Sequence, residues 1–208
     1  MIFDDGVIIA ADSLASYGSM ARFTKCPRVK SVNSNTILGA GGDYADFQHV
    51  WKSIEQKQIE QESAMDDESS GPLELHSWLT RVQYNKRCDF NPYWVEWVVG
   101  GLQDGVPFLG YVNKLGASYQ DRAICSGRLG ELGIPLLREY TENFSVKLDE
   151  QKARDLVVKC LQVLFYRDCY TSKSYHLAIV RKGKAAQVEG PFEINTNWEL
   201  ALSVKGYE

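Results

Sequence analysis

The chain has 208 residues, 44% hydrophobic and 24% charged, with 23 basic and 27 acidic side chains giving a formal net charge of −4. That length suits a single domain over residues 1–208 with a sizeable core. The charge balance provides no basic face for nucleic acid, no apolar run is long enough to cross a bilayer, and the start does not read as a signal peptide.

The residues Asp5-Gly6 read as a tight hairpin turn, with Met1–Asp4 before it and a buried strand, Val7–Ala11, leaving it. Strands are predicted over Arg28–Val32, after a bend at Lys25-Cys26-Pro27, and over Thr36–Ala40. A helix follows from about Asp43 to Gln61, with Tyr44, Phe47, Val50, Trp51 and Ile54 at helical spacing. Acidic, Ser- and Gly-rich Glu60–Pro72 reads as a solvated loop. A second helix covers Leu73 to Lys86, its apolar side formed by Leu75, Trp78, Leu79 and Val82.

Asp104-Gly105 is a strong hairpin signal between Val95–Leu102 and Val106–Val112. Ser118–Cys125 is a further strand candidate, and Arg128–Glu142 a helix expected to distort near Gly133-Ile134-Pro135. The clearest helix is Asp149–Arg167, capped by Asp149 and striped by Ala153, Leu156, Val157, Cys160, Leu161 and Leu164. A last hairpin joins Ser174–Val180 to Ala185–Glu189 around Lys182-Gly183. Helix pairs separated by hairpins leave sheet faces to be covered. The α+β class therefore expected is a four-layer α-β-β-α sandwich of two antiparallel sheets with helices outside both.

Five cysteines, Cys26, Cys88, Cys125, Cys160 and Cys169, are odd in number and contain no C-x-x-C pair. A reducing compartment is expected rather than a disulfide framework. His49, His76 and His176 lie far apart and read as structural residues, not metal ligands. Thr36–Gly42 is a strand entering a glycine turn before a helix, but Tyr44 stands where a dinucleotide fingerprint needs its third glycine. No Walker-type Gly-Lys-Ser/Thr is present, so no cofactor is expected. Two readings of the turn remain: a tight strand-to-helix connection, or an oxyanion-binding turn of backbone N–H groups. Asp12, Ser126, Asp168 and Thr171 sit at or just past predicted element ends. Each alone reads as a cap or turn residue.

Together these residues resemble the proteasome beta-subunit family of N-terminal nucleophile hydrolases, over essentially the whole chain. The resemblance is carried by Ser16-Tyr-Gly-Ser-Met-Ala-Arg-Phe23, Gly42-Asp-Tyr-Ala-Asp-Phe47, His76-Ser-Trp-Leu-Thr-Arg81, Phe108-Leu-Gly-Tyr-Val112, Ala153-Arg-Asp-Leu-Val157, Tyr166-Arg-Asp168 and Thr196-Asn-Trp198. These segments are similar to one subunit type in particular, that of the seventh position of the beta ring of the 20S core.

In active members a mature N-terminal threonine attacks the peptide carbonyl with its own α-amine as base, beside a lysine oriented by an aspartate. The resemblance implies that Asp12 is that aspartate and Gly41 the oxyanion-hole glycine. Ser126 is the serine of the Ser-Gly turn, and Asp168 and Thr171 are the residues bracing the N-terminus. Two departures follow. Arg28 takes the lysine position, and arginine stays protonated and cannot exchange a proton as lysine does. The nucleophile position lies ahead of Met1. Relatives open on several more residues, so the first strand is expected to be truncated and its sheet short of an edge partner.

The resemblance thus implies a non-catalytic beta subunit, located in cytoplasm and nucleus. Its partners would be other beta subunits of its ring, an alpha ring and the opposite beta ring, with no nucleic acid and no membrane. The segment Asn197–Glu208, with Trp198, Leu200, Leu202 and Tyr207, is expected to touch a neighbour, so deleting Lys205–Glu208 should weaken assembly. Two alternatives compete. One is a threonine peptidase whose nucleophile lies outside these residues. The other is a free-standing amidohydrolase with a Cys or Ser nucleophile, for which Met1-Ile2 offers no candidate.

Overall fold

The computed structural model describes residues 1–63, 71–142 and 148–203. The chain opens with β1 (Ile2–Phe3), β2 (Gly6–Asp12), β3 (Ala15–Tyr17), β4 (Met20–Phe23), β5 (Val29–Ser31) and β6 (Thr36–Gly42). Helices α1 (Tyr44–Ser63) and α2 (Pro72–Cys88) follow, then β7 (Val95–Gln103), β8 (Val106–Val112) and β9 (Ser118–Gln120). Helices α3 (Gly130–Thr141) and α4 (Glu150–Arg167) precede β10 (Ser174–Arg181), β11 (Lys184–Glu193) and a 3-10 turn at Trp198–Ser203.

Two antiparallel sheets carry the fold, in the orders β1-β2-β10-β11 and β5-β6-β7-β8-β9. Between them Val7, Ile9, Ile37, Val98, Leu109 and Val180 interdigitate. On the outer face of the first sheet, Phe3, Ile8, Leu177 and Ile179 pack against Leu137 of α3 and Ala153, Leu156 and Leu161 of α4. On the outer face of the second, Leu38, Val95, Trp97 and Phe108 meet Phe47, Val50 and Ile54 of α1 and Leu75 and Leu79 of α2. Alternate residues of β2 thus serve two different cores, as a period of two requires. The α-β-β-α sandwich expected from the sequence is the architecture observed.

Several local signals act as read. Asp149 accepts from the Lys152 N–H at 2.8 Å and caps α4. Asp104 and Gly105 both have positive φ between paired Gln103 and Val106, the conformation a two-residue hairpin turn demands. The turn between β1 and β2 is instead Asp4-Asp5, because Phe3 pairs with Gly6. Gly6 is in the ladder, where a Cβ would lie 1.9 Å from the Val180 carbonyl oxygen. β9 stops at Gln120, because the chain turns away so that the Arg122 carbonyl accepts from the Ile2 N–H at 2.8 Å. α1 runs on to Ser63, so residues 60–63 are helical rather than loop, and α3 continues through Pro135. At the other end of the expected acidic loop Pro72 opens α2, while residues 64–70, like residues 204–208, lie outside the described part.

Charges knit α4 to the sheet beneath it. Arg154 makes a bidentate contact with Glu189 of β11, both N–O distances being 2.8 Å, and a third bond to Glu150 at 2.9 Å. Arg181 of β10 also bonds Glu150, at 2.7 Å. Hydrogen bonds from Arg181 and Arg154 hold the Glu150 carboxyl down at about 2. A depressed carboxylate contributes stability above its unfolded pKa of about 4.3 and loses it as pH falls toward the folded value. Glu150 is a third exposed, so water screens the effect. The expected result is a stability gap between the chain and Glu150→Gln that is widest above pH 5 and narrows between pH 4 and pH 2, read from urea midpoints along the pH series.

Candidate functional site

All six residues singled out in the sequence line one cleft of about 460 Å³: Asp12, Arg28, Gly41, Ser126, Asp168 and Thr171. Each comes from an element end. Asp12 closes β2, Arg28 precedes β5 and Gly41 lies near the end of β6. Ser126 follows β9 in the loop to α3, and Asp168 caps α4 ahead of Thr171. Sheet register puts them together, since β2 and β6 both end at this side of the sandwich.

Asp12 is the organising group. Its carboxylate is paired with the Arg28 guanidinium, and the side chains are 9% and 21% exposed respectively. It also accepts from the backbone N–H groups of Leu14 at 3.1 Å and Ser172 at 3.2 Å. Arg28 Nε donates to the Asp12 carbonyl at 3.2 Å, so one arginine grips both the backbone and the side chain of the same residue. Burial lowers the guanidinium pKa from its ordinary value, with Tyr44 opposing. Arginine starts so high that it stays charged, and charge-assisted bonds to both oxygens fix it as a strut.

The rest of the rim is built from turns. Asp168 Oδ1 accepts from the Tyr170 N–H at 3.0 Å, shaping the loop that carries Thr171. Gly127 donates its N–H to Glu96 at 3.2 Å, and a Cβ on Gly41 would meet only Gly127, at 3.8 Å. The backbones of Gly41 and Gly127 therefore lie close together at the cleft, with no side chain between them. Among the described residues, no group of three or more His, Cys, Asp or Glu side chains could hold a metal ion. None of the described helices is long and apolar enough to cross a membrane.

A family model described as "Proteasome subunit" matches residues 1–180. The chain belongs to the proteasome subunit family. The proteasome subunit beta type-4 of Xenopus laevis is 48% identical over 206 residues, covering 99% of this chain and 84% of the relative. Its namesake from Drosophila melanogaster is 40% identical over 206 residues, covering 99% of this chain and 76% of the relative. The proteasome subunit beta type-7 of Saccharomyces cerevisiae is 36% identical over 217 residues, covering all of this chain and 81% of the relative.

In this proteasome subunit the cleft also holds residues that reading the sequence missed. Glu96 faces it from β7, directly opposite Gly41 in the ladder. The signal was available, as Glu96 is an acid inside the apolar run Val95–Gly101. Burial, and then the Glu96 charge, pushes the Tyr111 phenol well above its usual range. Lys114 stands 3.9 Å over the Trp94 ring, and Arg128 4.3 Å over the Tyr170 ring. These two cation–π contacts join loops that no local pattern connects. Among the histidines, His76 contacts the Tyr111 carbonyl at 3.2 Å and is buried under β8.

Proposed function

We propose that this chain is a structural beta subunit of the 20S core that completes a beta ring without hydrolysing peptide bonds itself. The observation supporting this reading is the Arg28–Asp12 pair. At the position that resembles the family's catalytic lysine stands a group that cannot shed a proton and is held to Asp12 through both side chain and backbone. Asp12, Gly41, Ser126, Asp168 and Thr171 then act as the frame of the fold, tying the ends of β2, β6 and α4 together. On this reading the partners are neighbouring beta subunits, an alpha ring and the opposite beta ring.

An exposed apolar surface fits that role. Among the described residues the hairpin β3–β4 pairs with no other strand, and it presents Tyr17, Met20 and Phe23 to solvent, Tyr17 being 78% exposed. Such a patch on a small free-standing hairpin marks an interaction site. Replacing Tyr17 and Phe23 by Ser is expected to reduce incorporation into particles, while the urea midpoint of the isolated chain stays unchanged. Size-exclusion profiles of cells expressing the tagged variant supply the measurement.

The deciding experiment isolates the tagged chain from its own cells and labels the preparation with a threonine-directed peptidase inhibitor. Elution as a particle many times the 23.5 kDa chain mass, with label on other subunits but not on this one, is the expected result. Label on this chain would favour the second reading, a threonine peptidase. The presence of Asp12, Gly41, Ser126 and Asp168 around one cleft supports that alternative, and Arg28 argues against it. Elution at the size of a monomer would overturn ring membership.

A further inference from the structure

Helix α2 ends in a Schellman turn. The Phe90 N–H donates to the Arg87 carbonyl at 3.2 Å, and the Asn91 N–H donates to the Lys86 carbonyl at 3.0 Å. Such a turn needs a left-handed residue at the position Phe90 holds, and Phe90 has φ of +53°. Glycine is the usual occupant, because any other side chain brings its Cβ too close to the following carbonyl. Local structure thus asks for glycine, and the chain places phenylalanine. The ring does not offset the strain by packing inside the domain, since Phe90 is 96% exposed.

Phe90 is flanked by further exposed apolar side chains. Tyr84 near the end of α2, Trp94 just before β7 and Leu115 in the turn between β8 and β9 are each half exposed or more. That turn is pressed onto α2, where a Cβ on Gly116 would lie 2.7 Å from the Tyr84 Cα. Cations cover the rings. The Arg87 guanidinium lies 5.8 Å from the Tyr84 ring centre, the Lys86 amine 5.5 Å from that of Tyr93 and the Lys114 amine 3.9 Å from that of Trp94. Among the described residues, none of these three cations makes an ion pair with a carboxylate. Asp89 is the one acid within residues 84–94.

We propose that Phe90 is the anchor of a docking surface whose occupant is an apolar pocket edged by carboxylates on a neighbouring subunit. The choice of a subunit as partner rests on the ring reading above. One protruding ring beside half-exposed aromatics is the pattern of an interface hot spot, where the anchor fills a pocket and its surroundings exclude water. Charge sets the chemistry of the pocket's rim. Lys86, Arg87 and Lys114 have no carboxylate partners and only Asp89 opposes them, so the complementary surface is acidic. An anionic bilayer is the rival occupant for aromatic rings mixed with cations. The net charge of −4 opposes it, and each cation lies over a ring of its own surface rather than standing free.

Stability and docking pull in opposite directions at position 90. Phe90→Gly relieves the left-handed strain and removes no buried contact, so the isolated chain should melt about 2 °C higher. The same change deletes the anchor, and the fraction of the chain carried in particles should fall about tenfold. A side chain held for folding alone would move both readings the same way.

The test uses the full tagged chain in its own cells, with a benzophenone-bearing phenylalanine at position 90 and sequencing of the cross-linked peptide. The expected product joins position 90 to another subunit, at a segment where Asp or Glu flanks apolar residues. Lys86→Glu/Arg87→Glu should also lower incorporation, and changing the acids of that segment to Lys should restore it. A lower Tm for Phe90→Gly, undiminished incorporation of either variant, or cross-links to a segment without acids, to a second copy of this chain or to lipid would overturn the proposal. So would co-sedimentation of the purified chain with phosphatidylserine vesicles that is lost in Phe90→Gly. Failure of the ring reading shows separately, in the unmodified chain. Its elution as a monomer overturns that reading, whereas particles that take up Phe90→Gly normally overturn only the docking surface.

Discussion

Asp12→Ala is expected to destabilise the chain by about 3 kcal/mol or more, because it strands a largely buried guanidinium. The same substitution removes the acceptor of the Leu14 and Ser172 N–H groups, loosening two loops at once. Arg28→Met is expected to cost clearly less. The Asp12 carboxylate then keeps two backbone donors, and the methionine side chain retains much of the packing. The double variant Asp12→Ala/Arg28→Met should be more stable than the sum of the singles predicts, as groups in direct contact are not additive. Urea unfolding of the four proteins gives the cycle. If Asp12→Ala unfolds at the midpoint of the unmodified chain, the pair is a surface contact and not the strut described above.

Gly42→Ala is the second large effect, and its contrast with Gly41→Ala makes it informative. Gly42 has φ of +109°, and a Cβ there would stand 2.2 Å from the Trp94 carbonyl oxygen. That oxygen already accepts from the Asp43 N–H at 2.8 Å, so the clash falls on backbone that closes the β6–β7 ladder into α1. Backbone strain and displacement together should cost about 3 kcal/mol or more, a fall in Tm of about 6 °C or more for a chain of this size. Gly41, expected from the sequence to be the oxyanion-hole glycine, has room: its Cβ would touch Gly127 at ordinary contact distance. Gly41→Ala should therefore melt within about 2 °C of the unmodified chain. Thermal melts followed by circular dichroism separate the two. Equal losses would mean that Gly41 is held by folding rather than by anything done in the cleft.

Local rules made most of the architecture legible. Helix α4 announces itself because one side chain caps it and six apolar residues keep a 3.6 period. The Asp104-Gly105 turn does so because few residues tolerate positive φ. The hairpin β3–β4 escaped notice because its strands are exposed on both faces and carry no alternation. β9 was read too long because the apolar residues near its end, Ala123 and Ile124, are buried by tertiary packing and not by the ladder. The Asp4-Asp5 turn was misplaced by one residue, since a glycine beside an aspartate is the stronger turn signal. Here that glycine is needed for its missing Cβ against Val180.

The site divides along the same line. Residue identity alone put an unconditionally charged group at position 28 and marked Asp12, Gly41, Ser126, Asp168 and Thr171 as residues whose pattern resembles the family's. Apart from the hairpin β3–β4, the sequence also determined the order of helices and strands, because periodicity, caps and turns act over a few residues. Only the tertiary structure decided that Arg28 grips Asp12 by backbone and side chain together, and that Gly42 and not Gly41 is sterically obliged. Each of these depends on groups distant in sequence coming within a few ångströms. Such distances are set by how the two sheets stack, not by any local preference.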